Sequence, residues 1–306
     1  MDILSEVLQT MKLQGTLYFD AKFQAPWGMS ILQGEYANFH IVTDGECLVN
    51  ISQTNKQIVL RKGDMILFPK GSAHSLADSV QSDIVNADEL LQKTRRLKSG
   101  KTIYGGDGVN TVSLICGHFE YDKEYSHPLF DTLPLRIYLS SQNDSTLDWF
   151  TTTSELVVQL SQGNSLGKKI IVDKLAESLF LQILSKYIES LDYSSSFLIA
   201  LQDINIGLAL NAMHENITHS WTIDELSKIA SMSKSLFSTK FSQMVGEPPI
   251  VYLAKWRMIK ARELLINTNK PLSQISELVG YQSEFSFSKA FKKMTGMTSG
   301  SLRIVS

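Results

Sequence analysis

A short pattern of apolar and small residues occurs twice near the C-terminus of this 306-residue chain, at residues 226–246 and 275–296. Each copy holds two phenylalanines four residues apart and ends in glycine. The copies lie 49 residues apart at their first positions and 50 residues apart from Ser233 and Ser283 onward, so the second has one extra residue in its turn. Because a repeated sequence folds as a repeated unit, we predict two copies of one small helical structure.

The first copy has the signals of a helix, a short turn and a second helix. Thr222 and Glu225 form a capping box, in which a hydroxyl and a carboxylate satisfy backbone donors at a helix start. The apolar pattern then breaks, and Ser233 offers a second N-cap. In the helix that follows, the residues expected to face inward are Leu236, Phe237, Phe241 and Met244.

One long helix is predicted between the two copies, beginning after Pro249. Apolar residues at steps of three and four keep to one face as far as Leu265. A helix of about 17 residues spans roughly 25 Å, which is enough for two units to reach adjacent turns of one DNA face, about 34 Å apart. The second unit begins at Ser273, and Ser283 caps its second helix.

Charge is unevenly divided along the chain, although the net charge is only -2. From residue 207 onward 12 Lys and Arg oppose 7 Asp and Glu, a net +5, whereas residues 1–206 carry 17 against 24, a net -7. The basic excess coincides with the repeat, as a phosphate-binding domain requires.

Residues from about 204 to 303 resemble the DNA-binding domain of the AraC/XylS family of bacterial transcription regulators. The matching text is Pro249-x-x-Tyr252-Leu253, Arg257-Met258-x-x-Ala261-Arg262-x-Leu264-Leu265, and Gly280-Tyr281 followed by residues 285–296. In that family two recognition helices enter successive major grooves, so the resemblance implies promoter DNA and RNA polymerase as partners. The candidate DNA contacts are then Ser235, Ser238, Thr239, Lys240, Glu284, Phe285, Ser288 and Lys289.

The two copies are not expected to contribute equally. Ser235, Ser238 and Thr239 offer no long basic or amide side chain, so direct base readout by the first copy is weak. The second copy offers Lys289, which adds electrostatic attraction, and Phe285, which could instead pack against its neighbours.

The N-terminal half changes to short apolar runs separated by Gly, Asp and Asn, which predicts strands at 39–42, 47–51, 57–60, 65–68 and 111–116. The turns between them indicate a small barrel or sandwich. Residues 63–74 closely resemble the second sequence motif of cupins. Gly34, His40 and Glu46 follow the spacing of the first cupin motif, with Val42 at the place of its second histidine. 

Segments 27–29, 39–45, 116–118 and 127–129 are further similar to the cupin-like effector domain attached to many AraC-type regulators. This resemblance implies a small-molecule effector, and the candidate contacts are His40, His74 and Trp27.

A divalent metal in the barrel is an alternative use of the same region. Histidine nitrogens and a carboxylate bind Zn, Fe or Mn, and the available set is His40, Glu46 and His74. Cys116 or His118 could supply a further ligand. Loss of the second histidine of the first motif argues against a complete enzyme site. In the other interpretation His40 and His74 are hydrogen-bonded core or effector-contacting residues.

Helical spacing of apolar residues at 147–160 and 170–191 predicts a hairpin across residues 163–167, which packs on its own barrel or forms a homodimer, as comparable helices do in the family. Residues 192–196 are the best candidate linker.

The predicted fold class is α+β. A cupin-like β-barrel with a helical hairpin (1–192) is followed by a linker (193–203) and an all-α domain with two helix-turn-helix units (204–306).

The sequence lacks a secretory signal and a run of eighteen apolar residues, so we expect a cytoplasmic protein that does not enter a membrane. A short amphipathic helix near residues 3–11 is too weak a signal for a membrane anchor. The two cysteines, Cys47 and Cys116, are expected to be reduced residues buried in strands.

Our hypothesis is a sequence-specific transcription regulator, an activator rather than a repressor by family resemblance, controlled by a small molecule and not an enzyme. One alternative is a metal-dependent cupin enzyme fused to a DNA-binding module. The other is a thiol-based redox-sensing regulator that uses Cys47 and Cys116.

Overall fold

The computed structural model describes residues 3–10, 13–54, 56–87, 89, 95–96, 102–121, 127–140, 152–153, 155–157, 159–160, 166–191 and 197–303. The chain separates into two units, each built from more than one segment. The barrel unit contains residues 13–121 and 133–189. The helical unit contains residues 1–12, 122–132 and 190–306.

Two β-sheets form the barrel unit, and their strands are β1 (Gln14–Gln24), β2 (Gly28–Ile31), β3 (Ala37–Asp44), β4 (Glu46–Ile51), β5 (Lys56–Arg61), β6 (Met65–Phe68), β7 (His74–Ala77), β8 (Val85–Asn86), β9 (Arg95–Arg96), β10 (Thr102–Gly105), β11 (Thr111–Glu120) and β12 (Ile137–Leu139). One sheet has the order β12-β6-β3-β11-β1-β10-β9, and the other has the order β5-β4-β7-β2-β8. The five predicted strand runs are confirmed, as parts of β3, β4, β5, β6 and β11.

Side chains alternate along these strands, so that one face of each sheet contributes to a shared apolar core. In β4, Cys47, Val49 and Ile51 are buried, whereas Glu46 and Asn50 are exposed. The same core takes residues from strands of both sheets, as two packed sheets require. This alternation decides which side chains of the cupin-like motifs point into the barrel.

Among the described residues the uninterrupted α-helices are α1 (Ile3–Thr10), α2 (Pro128–Thr132), α3 (Lys168–Glu189), α4 (Phe197–Gln202), α5 (Ile204–Glu215), α6 (Ile223–Ile229), α7 (Lys234–Val245), α8 (Pro249–Asn267), α9 (Leu272–Leu278) and α10 (Glu284–Thr295). In the part of the chain that the structure describes, no helix is long and apolar enough to cross a membrane.

Helix α3 is the second helix of the predicted hairpin, and it packs on β1. A Cβ added to Gly15 of β1 would lie 3.1 Å from the Cβ of Ala176 on this helix, so a glycine permits the close approach. Half of the first predicted helix, 147–160, lies within the described residues, and those residues are helical. The contact between α3 and β1 therefore supports the interpretation in which the hairpin packs on its own barrel.

The helical unit contains both helix-turn-helix repeats, α6 with α7 and α9 with α10. The predicted capping box is confirmed, because the Thr222 hydroxyl accepts from the Glu225 backbone and the Glu225 carboxylate accepts from the Thr222 backbone. The side chains of Ser233 and Ser283 cap α7 and α10, as predicted. The long helix predicted after Pro249 is α8, of 19 residues.

One inward-facing prediction for α7 is wrong. Phe237 and Phe241 are fully buried, but the side chain of Leu236 is 55% exposed. The reason is helical geometry, since Leu236 lies about 100° around the helix from Phe237 and therefore leaves the buried face. 

The two units do not follow the domain boundaries predicted from sequence. Residues 1–12 and 122–132 belong to the helical unit, although the sequence assigns them to the effector domain. Within the predicted linker, residues 192–196 lie outside the described residues, and α4 occupies 197–202 with four buried side chains. Four consecutive buried apolar residues make this end of the segment part of a folded core rather than a linker.

Candidate nucleic-acid interface and barrel interior

The second helices of the two repeats, α7 and α10, present equivalent surfaces. Positions 233–241 and 283–291 have the same succession of exposed, half-buried and buried residues, at the predicted offset of 50. Phe237 and Phe287 occupy the same buried position, and so do Phe241 and Phe291. The equivalence leaves the first turn and the residue at 239 or 289 exposed on each helix.

Five of the eight predicted DNA contacts are exposed and the other three are half-buried. The exposed residues are Ser235, Thr239, Glu284, Phe285 and Lys289. The half-buried residues are Ser238, Lys240 and Ser288.

Lys240 has a partner within the helical unit. Its Nζ donates to Oδ2 of Asp203 at 2.5 Å, and the same carboxylate caps the start of α5. Burial opposes ionisation of Asp203, but backbone hydrogen bonds and Lys240 outweigh it and lower the pKa of the carboxyl. The structure thus places Lys240 in a bond between α7 and α5 rather than on the face shared by Thr239 and Lys289.

Two large apolar side chains stand on the exposed first turns. Phe285 is 80% exposed on α10, and Leu236 is exposed at the neighbouring position of α7. Phe285 does not pack into the core. The alternative prediction, that its ring packs against neighbouring residues, is therefore not supported. The apolar group that the DNA major groove offers to such side chains is the methyl group of thymine.

The interior of the barrel contains a buried polar chain that joins the two sheets. Nε2 of His40 on β3 lies 2.8 Å from Nε2 of His74 on β7, and Nδ1 of His40 lies 3.0 Å from Sγ of Cys116. Nδ1 of His74 lies 2.7 Å from the carbonyl oxygen of Ser72. The ring of Phe68 stacks on His74 with centroids 3.7 Å apart.

The carbonyl of Ser72 assigns the protons along this chain, because a carbonyl oxygen only accepts. Nδ1–H of His74 donates to Ser72, which leaves its Nε2 to accept from Nε2–H of His40. Nδ1 of His40 then accepts from the thiol of Cys116. Burial, with the neighbouring imidazole, holds the pKa of His40 well below its usual value, and burial lowers the pKa of His74 to about 4. Both imidazoles are therefore neutral at pH 7.

Glu46 does not join this pair. It is exposed on β4, where its carboxylate lies 3.4 Å from Nε of Arg61. The predicted set of His40, Glu46 and His74 thus fails, because strand alternation turns Glu46 outward when Cys47 points inward. Among the described residues, no group of three His, Cys, Asp or Glu side chains is placed to hold a metal ion.

The remaining candidates of the barrel are dispersed. Trp27 is buried in an aromatic stack, with its ring 4.5 Å from that of Phe23. Nε2 of His118 lies 2.6 Å from a carboxylate oxygen of Glu120. Cys47 is buried, and burial raises the pKa of its thiol to about 12. A thiol with that pKa is a poor nucleophile at neutral pH.

Comparisons with known proteins agree with both halves of this description. A family model described as cupin matches residues 2–189, and one described as helix-turn-helix domain matches residues 226–303. The chain is 28% identical over 294 residues to the HTH-type transcriptional regulator AlkR of Acinetobacter baylyi, covering 96% of each protein. It is 26% identical to a putative AraC-like transcription regulator of Streptomyces antibioticus, covering 99% of this chain and 98% of the relative.

A third relative is the RCS-specific HTH-type transcriptional activator RclR of Escherichia coli, with 26% identity over 99% of this chain and 97% of that protein. The chain is a cupin-domain member of the AraC family of transcription regulators. Its C-terminal third is a DNA-binding domain with two helix-turn-helix units. 

A second buried polar chain in this AraC-family regulator was not predicted from sequence. Nδ1 of His214 on α5 lies 2.8 Å from the carboxylate of Glu6 on α1, and its Nε2 lies 2.7 Å from Oη of Tyr252 on α8. Nε2 of His127 lies 3.3 Å from the same hydroxyl. The backbone N–H of Leu129 donates to Nδ1 of His127 at 3.2 Å.

The hydrogen-bond partners determine which atom of this chain carries each proton. Because Nδ1 of His127 accepts, its Nε2–H donates to the hydroxyl oxygen of Tyr252. Glu6 only accepts, so Nδ1–H of His214 donates to it, and Nε2 of His214 accepts the hydroxyl proton of Tyr252. Burial holds the pKa of His127 well below its usual value, in keeping with a neutral ring. The chain joins α1 and the residues before α2 to the central helix of the DNA-binding half of the AraC-family fold.

Proposed function

We propose that α7 and α10 read promoter DNA in two successive major grooves, and that a small molecule bound inside the barrel controls this binding. The observation that carries the DNA proposal is the matched exposed surface on two helices of equal construction, 50 residues apart. The helix between them, α8, has 19 residues and so spans about 28 Å. That length suits two readers on adjacent turns of one duplex face.

The residues proposed to contact DNA offer different chemical groups on the two helices, and those of α10 are expected to bind DNA more strongly. On α10, Lys289 supplies a charge, and Phe285 supplies an apolar surface for a thymine methyl. On α7, Ser235, Ser238 and Thr239 supply hydroxyls, and Leu236 adds an apolar surface. Glu284 and Ser288 complete the second reader, with Glu284 able to accept from a cytosine amino group.

Lys289→Ala is expected to weaken specific DNA binding by about 1–3 kcal/mol if Lys289 reads a base edge. The same change should lower the salt slope of binding by about one if the ammonium instead pairs with a phosphate. The matched control is Thr239→Ala, at the equivalent position of the first repeat, where a smaller loss is expected. Fluorescence anisotropy with a selected duplex at several salt concentrations measures both effects.

Equal affinity and an equal footprint for wild type and Lys289→Ala would remove Lys289 from the interface. A larger loss of affinity for Thr239→Ala than for Lys289→Ala would contradict the proposal that α10 contributes more to DNA binding than α7.

The proposed place of the effector is the barrel interior around His40 and His74. All four ring nitrogens of these imidazoles are paired within the protein, so an effector that bonds to them replaces one of those partners. Trp27 lines the same apolar core. An effector that binds one arrangement of the protein better than another shifts the population that is competent for DNA.

The remaining parts of the proposal rest on the family. We infer activation through contact with RNA polymerase, a homodimer, and a cytoplasmic location beside the DNA. The protein is proposed not to be an enzyme, because the relatives it resembles over nearly its full length are named as transcription regulators. Neither alternative gains support from the geometry, since Glu46 faces outward and the Cys47 thiol has a raised pKa.

A further inference from the structure

Arg257 lies in the middle of α8, the helix between the two helix-turn-helix repeats. Its Nε donates to the carbonyl oxygen of Ile217 at 2.9 Å, and its Nη2 donates to the carbonyl oxygen of His219 at 2.7 Å. Both carbonyls belong to the loop that precedes α6. The guanidinium therefore holds the entry to the first repeat at two points.

The same guanidinium contacts the second repeat. Its central carbon lies 5.9 Å from the centre of the Tyr281 ring, in the turn between α9 and α10. A Cβ added to Gly280 would lie 2.8 Å from Nη2 of Arg257 and 2.8 Å from Cα of Thr218. Gly280 also has φ +78°, a backbone conformation that favours glycine. The loop before α6 and the turn between α9 and α10 thus meet around this one side chain.

Each segment that Arg257 contacts leads directly into a helix of its repeat. The loop at 217–219 is followed by the Thr222 cap of α6, and the turn at 280–281 is followed by the Ser283 cap of α10. Tyr281 also packs against Phe287, the buried anchor of α10, with ring centroids 5.7 Å apart. A displacement at Arg257 would therefore change the direction of both repeats.

The chemistry of this position requires a guanidinium. Its planar fork donates to two carbonyls and offers a flat face to an aromatic ring at the same time. A lysine ammonium keeps the positive charge but cannot reproduce the fixed pair of bonds. Lysine and alanine variants therefore separate the loss of geometry from the loss of charge.

We propose that Arg257 is a positioning residue that fixes the distance and angle between the two DNA-reading helices, and thereby sets the spacing of the two DNA elements that the protein accepts. This inference rests on the proposed reading of DNA by α7 and α10. A protein held in this way tolerates little change in the number of base pairs between its two elements.

The test uses the full-length protein and a duplex selected by it from a random pool. One or two base pairs are inserted or removed between the two protected elements, and the affinity of each duplex is measured. Each added base pair rotates the second element by about 34° around the duplex. We expect the wild-type affinity to fall by about tenfold for each base pair changed.

In Arg257→Ala and Arg257→Lys the same spacing changes are expected to cost only about threefold or less. Lys289→Ala, which removes a proposed DNA contact of α10 but none of the contacts of Arg257, should lose affinity equally at every spacing. Circular dichroism of Arg257→Lys confirms that the repeats remain folded. 

The inference is overturned if both Arg257 variants keep the wild-type spacing profile, or if they lose affinity by the same factor at every spacing. A wild-type protein that selects no duplex would instead contradict the proposed function.

Discussion

Tyr252→Phe is expected to destabilise the helical unit by about 2–4 kcal/mol. The Tyr252 hydroxyl donates to Nε2 of His214 and accepts from Nε2–H of His127, at 2.7 and 3.3 Å. Removing one oxygen atom leaves two fully buried imidazole nitrogens without partners, each of which costs about 1–3 kcal/mol. The ring itself stays, so the apolar packing of α8 is preserved.

The expected destabilisation is local to the helical unit. Hydrogen exchange measured by mass spectrometry should rise in peptides from α1, α5 and α8, whereas peptides from β3 and β11 of the barrel keep their protection. Tyr281→Phe is the matched control, because the contacts of Tyr281 are made by its ring. Unchanged exchange in Tyr252→Phe would show that the chain from His127 to Glu6 contributes no stability.

Acidification is expected to destabilise the barrel unit by about 3 kcal/mol through His74 alone. Burial lowers the pKa of this imidazole from 6.5 to about 4 in the folded protein. Between these values the unfolded chain binds a proton that the folded protein does not, so stability falls as the pH is lowered from 6.5 to 4. Below pH 4 the contribution of His74 is lost, and above pH 6.5 it is fully present. 

Urea unfolding of the wild type and of His74→Asn at pH 7.5 and pH 5 tests this expectation. The asparagine amide can still donate to Ser72, but it does not titrate, so the variant should be less stable at pH 7.5 and less sensitive to pH. Hydrogen exchange of barrel peptides assigns the transition to the correct unit. A variant with the full wild-type pH dependence would contradict the role given to His74.

Much of the DNA-binding half could be predicted because its signals are local. N-cap residues, glycines after helix ends and pairs of phenylalanines indicate where the helices of the two repeats lie, and each of these signals involves only a few neighbouring residues. The repeat also held a signal that would have corrected the interpretation of Leu236. Its equivalent at the offset of 50 is Ser286, and a position that holds a serine in one copy is poorly suited to the core.

A local signal was also present for Glu46. Cys47 was expected to be buried in a strand, and adjacent strand residues face opposite sides. Glu46 therefore had to face away from the barrel interior, whatever its spacing from His40. The family motif placed Glu46 in sequence, but strand alternation decided its direction.

The buried chain through Tyr252 could not be predicted from sequence. Glu6 and His214 are 208 residues apart, and His127 comes from a third segment. No periodicity or cap links such residues, because their meeting depends on how α1 and the residues before α2 pack on α5 and α8. The assignment of these segments to the helical unit is a property of tertiary packing.

The central claim is that α7 and α10 read two DNA elements together. Selection of bound duplexes from a random pool by the full-length protein, followed by footprinting of the enriched sequence, tests it most directly. We predict two protected elements on one face of the duplex, with centres about one helical turn, or 10–10.5 base pairs, apart. Recovery of no enriched sequence, or of a single element that binds as tightly alone as the pair, would contradict the account.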